Sequence, residues 1–357
     1  MPSKALLLCA GMGSRLRPIT YTSAKHVLPV ANKPIIFYTI ETLVEAGITD
    51  IGLVVGVNRL ELQDVVGDGS RWDVNVSYIV QDNPLGTAHA VKIAEDWAEG
   101  EPFIMVLGDI VIEGGLRAFM DDYHTEKPSA MLMLHKTDKP RQFGIAEIQN
   151  GYIVEIEEKP ERPKSDLAVA GIYLFDNEIF SAIDEIEVSP RGELELPDAI
   201  QVLMRRGLSV RPHMVEGWWK DTGRPEDVID LNRLVLDSAE NGDIHGNIDK
   251  ESSVVGRVIL DDSVVVERSI IRGPVIIGAG ARITNAYIGP YTSIGEGCVI
   301  DSSEVEHSVI MEGSTIRGIR TRIESSLIGK NVELTLGNKV PHANRFVIGE
   351  SCVVHLV

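Results

Sequence analysis

The sequence predicts an α/β protein in two parts. Residues 1–240 read as a doubly wound, mostly parallel sheet of the Rossmann-like kind, and residues 241–357 as a left-handed parallel β-helix with a C-terminal cap. Three observations predict this. Short apolar runs alternate with helix-like segments through the first two-thirds of the chain. Composition changes near residue 240. Beyond that point aliphatic residues recur five or six positions apart.

In the first part, Leu6-Leu7-Leu8 opens a short apolar run of the kind a buried strand shows. A helix is expected over Pro34 to Ala46, then a buried strand at Ile51 to Val55 and another at Val74 to Val80. Ala88 to Ala98 is expected to be helical, and Phe103 to Leu107 is a third buried run. Strands alternating with helices imply parallel pairing. In such sheets ligands bind beyond the carboxyl ends of the strands. The loop at Gly13 and the Gly108-Asp109 turn both follow strand ends, so both are expected to open onto one crevice.

Pro225 to Leu236 reads as a helix. The second part then takes over, with aliphatic residues at Ile277, Ile283, Ile288, Ile294, Ile300, Val305, Ile310 and Ile316 and small residues between them. Ile323 and Ile328 continue the series less regularly. This is the hexapeptide repeat of a triangular coil, each aliphatic residue pointing inward. The five-residue steps imply imperfect coils. Thr335 to Val357 loses the repeat and is expected to cap the solenoid.

A chain of 357 residues can bury a large core. Its net charge of −19 argues against nucleic acid as a partner, because a phosphate backbone demands a basic face. Any local cationic cluster is then more informative. The three cysteines match no zinc spacing and suit reduced thiols. No apolar stretch approaches membrane-spanning length and the N-terminus has no signal-peptide pattern, so the protein is expected in the cytoplasm.

Five stretches carry chemistry. Ala10-Gly11-Met12-Gly13-Ser14-Arg15 breaks the first apolar run with glycines, which let a backbone approach a ligand closely and free amides to cradle phosphate. Arg15, Arg17 and Lys25 add positive charge there. A bare Gly-x-Gly can equally be a structural turn, and this one is neither a Walker loop nor a dinucleotide fingerprint. Gln81 to Ala88 is a turn between strand and helix. Asp109 lies just past a buried strand, where it could cap a helix or ligate Mg²⁺, a cation that takes one or two carboxylates plus phosphate oxygens. Glu157-Glu158-Lys159-Pro160 follows a strand expected over Tyr152 to Ile156 and is either a solvated surface or a phosphate-holding lysine. Gly217 to Gly223 contains Trp218, Trp219 and Asp221. His124, His135 and His213 lack partners at catalytic spacing, and His307 alone is weak support for an acyltransferase.

Leu8 to Pro34 resembles the signature of the sugar-1-phosphate nucleotidyltransferases, with its glycine-rich loop and Lys25-His26-Val27-Leu28-Pro29-Val30. The two-part layout is similar to the long-form glucose-1-phosphate thymidylyltransferases. One departure is Ala10, where thymidylyltransferases usually carry Gly and uridylyltransferases often carry Ala. A second is Ile110, where the family often has Asn. The resemblance implies that Ala10, Gly11, Gly13 and Ser14 line the nucleotide and that Gln81 and the Gly86 backbone hold the base. It implies Asp109 and Asp221 as ligands of Mg²⁺. It assigns Glu158 to sugar hydroxyls, Lys159 to the sugar phosphate, Gly144 and Val169 to the sugar lining, and Arg191 to the phosphate. Arg15, Lys25 and Lys159 become the catalytic cations.

The implied reaction joins a nucleoside triphosphate, dTTP or UTP, to a hexose 1-phosphate and releases pyrophosphate. Glucose 1-phosphate with dTTP is the first choice. UTP with glucose 1-phosphate or an N-acetylamino sugar phosphate is one rival, and a non-catalytic scaffold subunit is another. The β-helix is expected to drive homo-oligomer formation rather than catalysis. A chain ending near Asn241 is then expected to keep some turnover.

Overall fold

The structure, a computed structural model, describes residues 2–239, 242–336 and 348–355. Two compact units account for the packing: Met1–Met12 with Ile35–Asp221, and Gly13–Pro34 with Thr222–Val357. The junction expected after residue 240 lies outside the described residues.

The first unit is built on a nine-stranded sheet. Four of its strands are parallel, in the order Asn75–Val80, Asp50–Val55, Lys4–Leu8, Phe103–Leu107. Every residue of Lys4–Leu8 is buried. Successive side chains point to opposite faces, so both faces of this strand are covered, which explains its unbroken apolar spelling. Its one charged residue, Lys4, is 6% exposed and sends its amine to Glu99 Oε2 at 2.6 Å and Trp97 O at 2.8 Å.

The sheet changes hand of pairing at Leu167–Phe175, which runs antiparallel to Phe103–Leu107 and to Ala130–Lys136. The hairpin Gly144–Gln149 with Tyr152–Glu158 extends it. The sheet is therefore parallel in one half and largely antiparallel in the other. Helix Ile35–Glu45 buries Ile36, Ile40 and Leu43, and helix Leu196–Arg205 buries Leu196, Ala199, Ile200 and Leu203. Both follow helical spacing. The helix expected over Ala88 to Ala98 is two short ones, Thr87–Lys92 and Glu95–Ala98. Between them the Ala94 N–H bonds Val91 O, three residues back, which tightens the turn and breaks the run.

The second unit is a three-sided parallel β-helix. Three sheets of six, six and five short strands run along it, and each coil gives one strand to each sheet. Val275 pairs with Thr292, Arg282 with Val299 and Tyr287 with Glu304, a 17-residue coil. The aliphatic series predicted from the sequence fills the interior, with Ile283, Ile288, Ile294, Ile300, Val305 and Ile316 all at 0% exposure. The five-residue step Val305 to Ile310 does mark an imperfect coil, since Ser293 pairs with Val309 and Val299 with Thr315, 16 residues apart, while Ile283 to Ile288 and Ile300 to Val305 turn the same corner one coil apart. Arg268, Asn285 and Ser302 stand at successive turns of that corner with φ of 45°, 49° and 48°. Buried serines satisfy backbone donors there. Ser269 Oγ accepts from the Ala286 N–H at 3.0 Å, and Ser303 Oγ from the Ile319 N–H at 3.0 Å. Among the described residues the last coil strand is Glu333–Thr335. Most of the expected cap, residues 337–347 and 356–357, lies outside the described residues.

Helix Pro225–Ser238 and the segment Gly13–Pro34 pack with the coils. Asn232, 0% exposed, links all three: its Oδ1 accepts from the Ala31 N–H at 2.8 Å and from Ser293 Oγ at 2.6 Å, and its Nδ2 donates to Tyr291 O at 3.0 Å. Asn32 Nδ2 donates to Ile294 O at 2.8 Å.

Candidate active site

In the first unit the four parallel strands end in register, Leu8 opposite both Val54 and Leu107. The chain leaves each strand at the same edge. The Cys9 N–H bonds Val54 O, the Gln81 N–H bonds Val55 O and the Gly108 N–H bonds Leu8 O. Ala10, Gly11, Gln81 and Asp109 therefore all follow strand ends at one edge of the sheet, as a doubly wound sheet requires of a ligand site. Gly56 has space only for hydrogen: a Cβ there would stand 2.9 Å from Ala10 O.

Gln81 is 6% exposed, and its Nε2 lies 2.8 Å from His89 Nδ1 and 3.4 Å from Gly86 O. The loop it opens is fastened to a distant stretch. The Leu194 N–H bonds Leu85 O and the Ala88 N–H bonds Leu194 O. Gly86 has φ of 118°, and a Cβ there would meet Leu194 O at 2.4 Å, so both conformation and space demand glycine.

Asp109, 5% exposed, is followed by strand Ile110–Ile112 rather than by a helix. That strand pairs antiparallel with Trp219–Asp221, and Asp221 stands opposite Ile110. Asp221 thus lies within a strand rather than after one. The ladder brings it beside Asp109 in the fold despite their separation in sequence. Among the described residues no cluster of three or more His, Cys, Asp or Glu side chains could hold a metal ion. Two carboxylates alone suit a cation that completes its shell with phosphate oxygens and water.

The sugar-lining candidates also converge. A methyl added at Gly144 would stand 2.9 Å from Glu158 Oε2 and 3.8 Å from Val169 Cγ2. Strand Tyr152–Glu158 runs on to Glu158, two residues past its expected end. Lys159 follows with φ of 47°, and its N–H bonds Phe143 O. Its Nζ is 3.2 Å from Glu158 Oε1, and Arg191 Nη1 is 3.4 Å from the same oxygen. One carboxylate is thus flanked by two cations beside a glycine. Arg191 also reaches Glu195, 6% exposed, at 3.5 Å. Burial pushes the Glu195 carboxyl above its ordinary range, Glu158 and Glu193 add to this, and the Ser189 hydroxyl and Arg191 oppose it.

Trp219 ties these parts together. Its Nε1 donates to Ala170 O at 2.8 Å, and its ring lies 5.1 Å from Phe143 and 5.5 Å from His135. Gly171 follows with φ of 76°, where a Cβ would stand 2.8 Å from Leu107 Cδ1. His213 finds its partner at long range rather than at motif spacing: its Nδ1 is 2.8 Å from Asp122 Oδ2 on helix Arg117–Glu126. A pair 91 residues apart leaves no spacing signal. Glu195, four residues past Arg191 in the same stretch, and His89, just past the Gln81 to Ala88 turn, carry no role in the sequence reading, and only the folded contacts single them out.

Gly13, Ser14, Arg15 and Lys25 belong to the second unit. Gly13 has φ of 61°, and its carbonyl accepts from Thr20 Oγ1 at 2.7 Å and from the Leu16 N–H at 2.9 Å. A Cβ on Gly13 would press on Lys25 Cβ at 3.1 Å, and one on Gly223 would stand 2.7 Å from an Arg15 guanidinium nitrogen. The loop therefore packs Lys25 beside Gly13 and rests Arg15 on Gly223. Among the described residues no helix is long and apolar enough to cross a membrane.

Residues 4–238 match the family described as nucleotidyl transferase, and residues 271–356 match a GMPPB C-terminal domain. The chain is 48% identical over 348 residues to glucose-1-phosphate thymidylyltransferase of Streptomyces griseus, covering 97% of this chain and 98% of that protein. It is 46% identical over 358 residues to the protein of the same name from Streptomyces antibioticus, covering 99% of each. A provisional glucose-1-phosphate thymidylyltransferase from Bacillus anthracis, solved in complex with sucrose, superposes with a TM-score of 0.61 at 38% identity, over 65% of this chain and 94% of that one.

Proposed function

The chain belongs to the nucleotidyl transferase family, and on that premise we propose that it transfers a thymidylyl group from dTTP to glucose 1-phosphate, giving dTDP-glucose and pyrophosphate. The observation that carries the reading is the cluster at Glu158. A carboxylate suited to sugar hydroxyls lies between Lys159 and Arg191, cations suited to a phosphate, and beside Gly144, where there is no side chain. The substrate names come from relatives nearly half identical over their whole length.

A phosphate oxygen of the sugar attacks the α-phosphorus in line. The bond from that phosphorus to the bridging oxygen breaks, and pyrophosphate leaves with the electron pair. No protein nucleophile is needed, so the chain supplies position and charge. Lys159 and Arg191 align the attacking phosphate, and Glu158 orients the sugar. Arg15 meets the charge growing on pyrophosphate, and Lys25 holds the α-phosphate. Gln81 and Gly86 receive the base, with Ala10, Gly11, Gly13 and Ser14 along the nucleotide. Asp109 and Asp221 are the residues that would hold Mg²⁺, which when bound offsets triphosphate charge and polarises the α-phosphoryl oxygens.

UTP is the competing donor, favoured by Ala10. The reading puts the enzyme in the cytoplasm as a homo-oligomer, with the coil faces as the pairing surface. Pyrophosphate release, measured with coupled pyrophosphatase across dTTP, UTP, CTP, GTP and ATP, tests it. Turnover is expected to be greatest with dTTP and glucose 1-phosphate. Faster turnover with UTP would reassign the donor, and no release with any triphosphate would leave a scaffold.

A further inference from the structure

We infer that His89 is a positioning residue that, together with the Gly86 carbonyl, holds the Gln81 amide with its oxygen forward, so that the site reads thymine or uracil and rejects cytosine. This rests on the reading of Gln81 as the residue facing the base.

The amide nitrogen of Gln81 touches two groups, His89 Nδ1 at 2.8 Å and Gly86 O at 3.4 Å. A backbone carbonyl only accepts hydrogen bonds, so the end of the amide turned toward Gly86 must be the NH₂ group. That assignment does not depend on the histidine. It follows that His89 Nδ1 is the acceptor and that the imidazole carries its proton on Nε2. Both amide hydrogens are then committed to the protein, which leaves Oε1 as the group for a ligand. Gln81 is 6% exposed and its N–H is tied to Val55 O, so the side chain projects from a fixed point.

An acceptor at that position suits one class of base. Thymine and uracil carry a hydrogen on N3 and donate to Oε1. Cytosine has a lone pair on N3, which would face the oxygen of Gln81. Turning the amide over would accommodate cytosine. The turn would set Oε1 against the Gly86 carbonyl, two acceptors facing, and would oblige the imidazole to move its proton from Nε2 to Nδ1. The Gly86 carbonyl thus sets the direction of the amide, and His89 anchors its nitrogen through the shorter of the two contacts, with a tautomer change required of it if the amide turns. It sits half-buried on helix Thr87–Lys92, eight residues beyond Gln81 and past the Gly86 turn, so it is not part of the loop it steadies.

The test compares kcat/KM for dTTP and CTP, at fixed glucose 1-phosphate, in the wild-type protein and three variants, with a fourth, His89→Ala, in reserve. His89→Leu removes the acceptor, and the dTTP-to-CTP ratio is expected to fall about tenfold, the worth of one hydrogen bond, through a raised KM for dTTP with kcat little changed. His89→Asn carries an oxygen where Nδ1 stood and is expected to restore most of the ratio, which a purely structural role would not produce. Gln81→Leu is expected to lose the ratio whatever His89 does. Calorimetric binding of dTTP and CTP should give the same order without turnover, and His89→Ala carries the same expectation should the leucine variant fold poorly. A wild-type ratio in the His89 variants with a lost ratio in Gln81→Leu would overturn the inference and leave the base reading standing. A wild-type ratio in Gln81→Leu would overturn the base reading itself.

Discussion

Asn232 on helix Pro225–Ser238 and Ser293 in the β-helix share a 2.6 Å hydrogen bond with both residues fully buried. The same asparagine oxygen accepts from the Ala31 N–H, at the end of the loop that carries Gly13, Arg15 and Lys25. The coils therefore hold the loop that the proposed mechanism needs for its triphosphate. This revises the expectation that the β-helix serves assembly alone. A chain ending near residue 240 would lose Tyr291, Ser293 and Ile294, the coil partners of Asn232 and Asn32.

Asn232→Ala is accordingly expected to weaken both fold and function. It strands a backbone N–H, a hydroxyl and a carbonyl, and unsatisfied buried groups cost roughly 1–3 kcal/mol each. Partial relaxation leaves a net loss of about 3 kcal/mol. Chemical denaturation gives the stability change, and steady-state kinetics at a temperature where the variant is folded should show a raised KM for the nucleotide. A variant with wild-type stability and kinetics would show that the coils do not support the loop.

Gly144→Ala isolates the sugar side. The added methyl meets the tip of a side chain, Glu158 Oε2 at 2.9 Å, and not backbone. The carboxylate can swing aside, so the melting temperature is expected to change little. The swing displaces the group proposed for the sugar hydroxyls. KM for glucose 1-phosphate should rise about tenfold or more, the worth of one charged hydrogen bond, while KM for dTTP stays near wild type. Equal rises for both substrates would take Glu158 away from the sugar.

Glu195 gives the fold a pH dependence. Burial raises its carboxyl pKa in the folded protein, so the fold favours the protonated form. That contribution is present below the ordinary glutamate value of about 4.3 and is lost as pH rises through the raised value. Glu195→Gln carries no proton to lose. Its melting temperature relative to wild type is therefore expected to improve from acid toward neutral pH. Melts of the two proteins at matched pH decide it, and a constant difference would mean that Glu195 titrates as an exposed carboxylate does.

Much of this was legible in the sequence for a physical reason. Buried strands such as Lys4–Leu8 spell themselves as unbroken apolar runs, and the coil interior repeats because each side of the triangle needs one aliphatic residue. Pairings between distant segments left no such trace. Nothing local marks Ile110–Ile112 as the partner of Trp219–Asp221, or Leu194 as the anchor of the Gly86 turn. The segment Gly13–Pro34 follows the first strand directly, yet it packs with the coils because Ala31 and Asn32 find their hydrogen-bond partners there. Chain order suggested otherwise, and only the side-chain partners decide it.

Asp109 and Asp221 are expected to act through one Mg²⁺. The ladder that brings them together is made by backbone groups, Asp221 opposite Ile110. Two carboxylates without a counter-charge would repel a triphosphate, and a cation shared between them reverses that sign. Asp109→Asn and Asp221→Asn keep side-chain volume and leave the ladder in place, so both variants should melt near wild type. Their rates should fall roughly 10²-fold or more, as when one preorganised electrostatic contact is removed. Activity should return in part at high Mg²⁺ or with Mn²⁺, because the weakened site fills by mass action. A structural role predicts the reverse, an early melt with an unchanged metal requirement in whatever protein remains folded. A Mg²⁺ titration of kcat/KM beside thermal melts separates the two, and near-wild-type activity of both variants at low Mg²⁺ would remove the metal from these carboxylates.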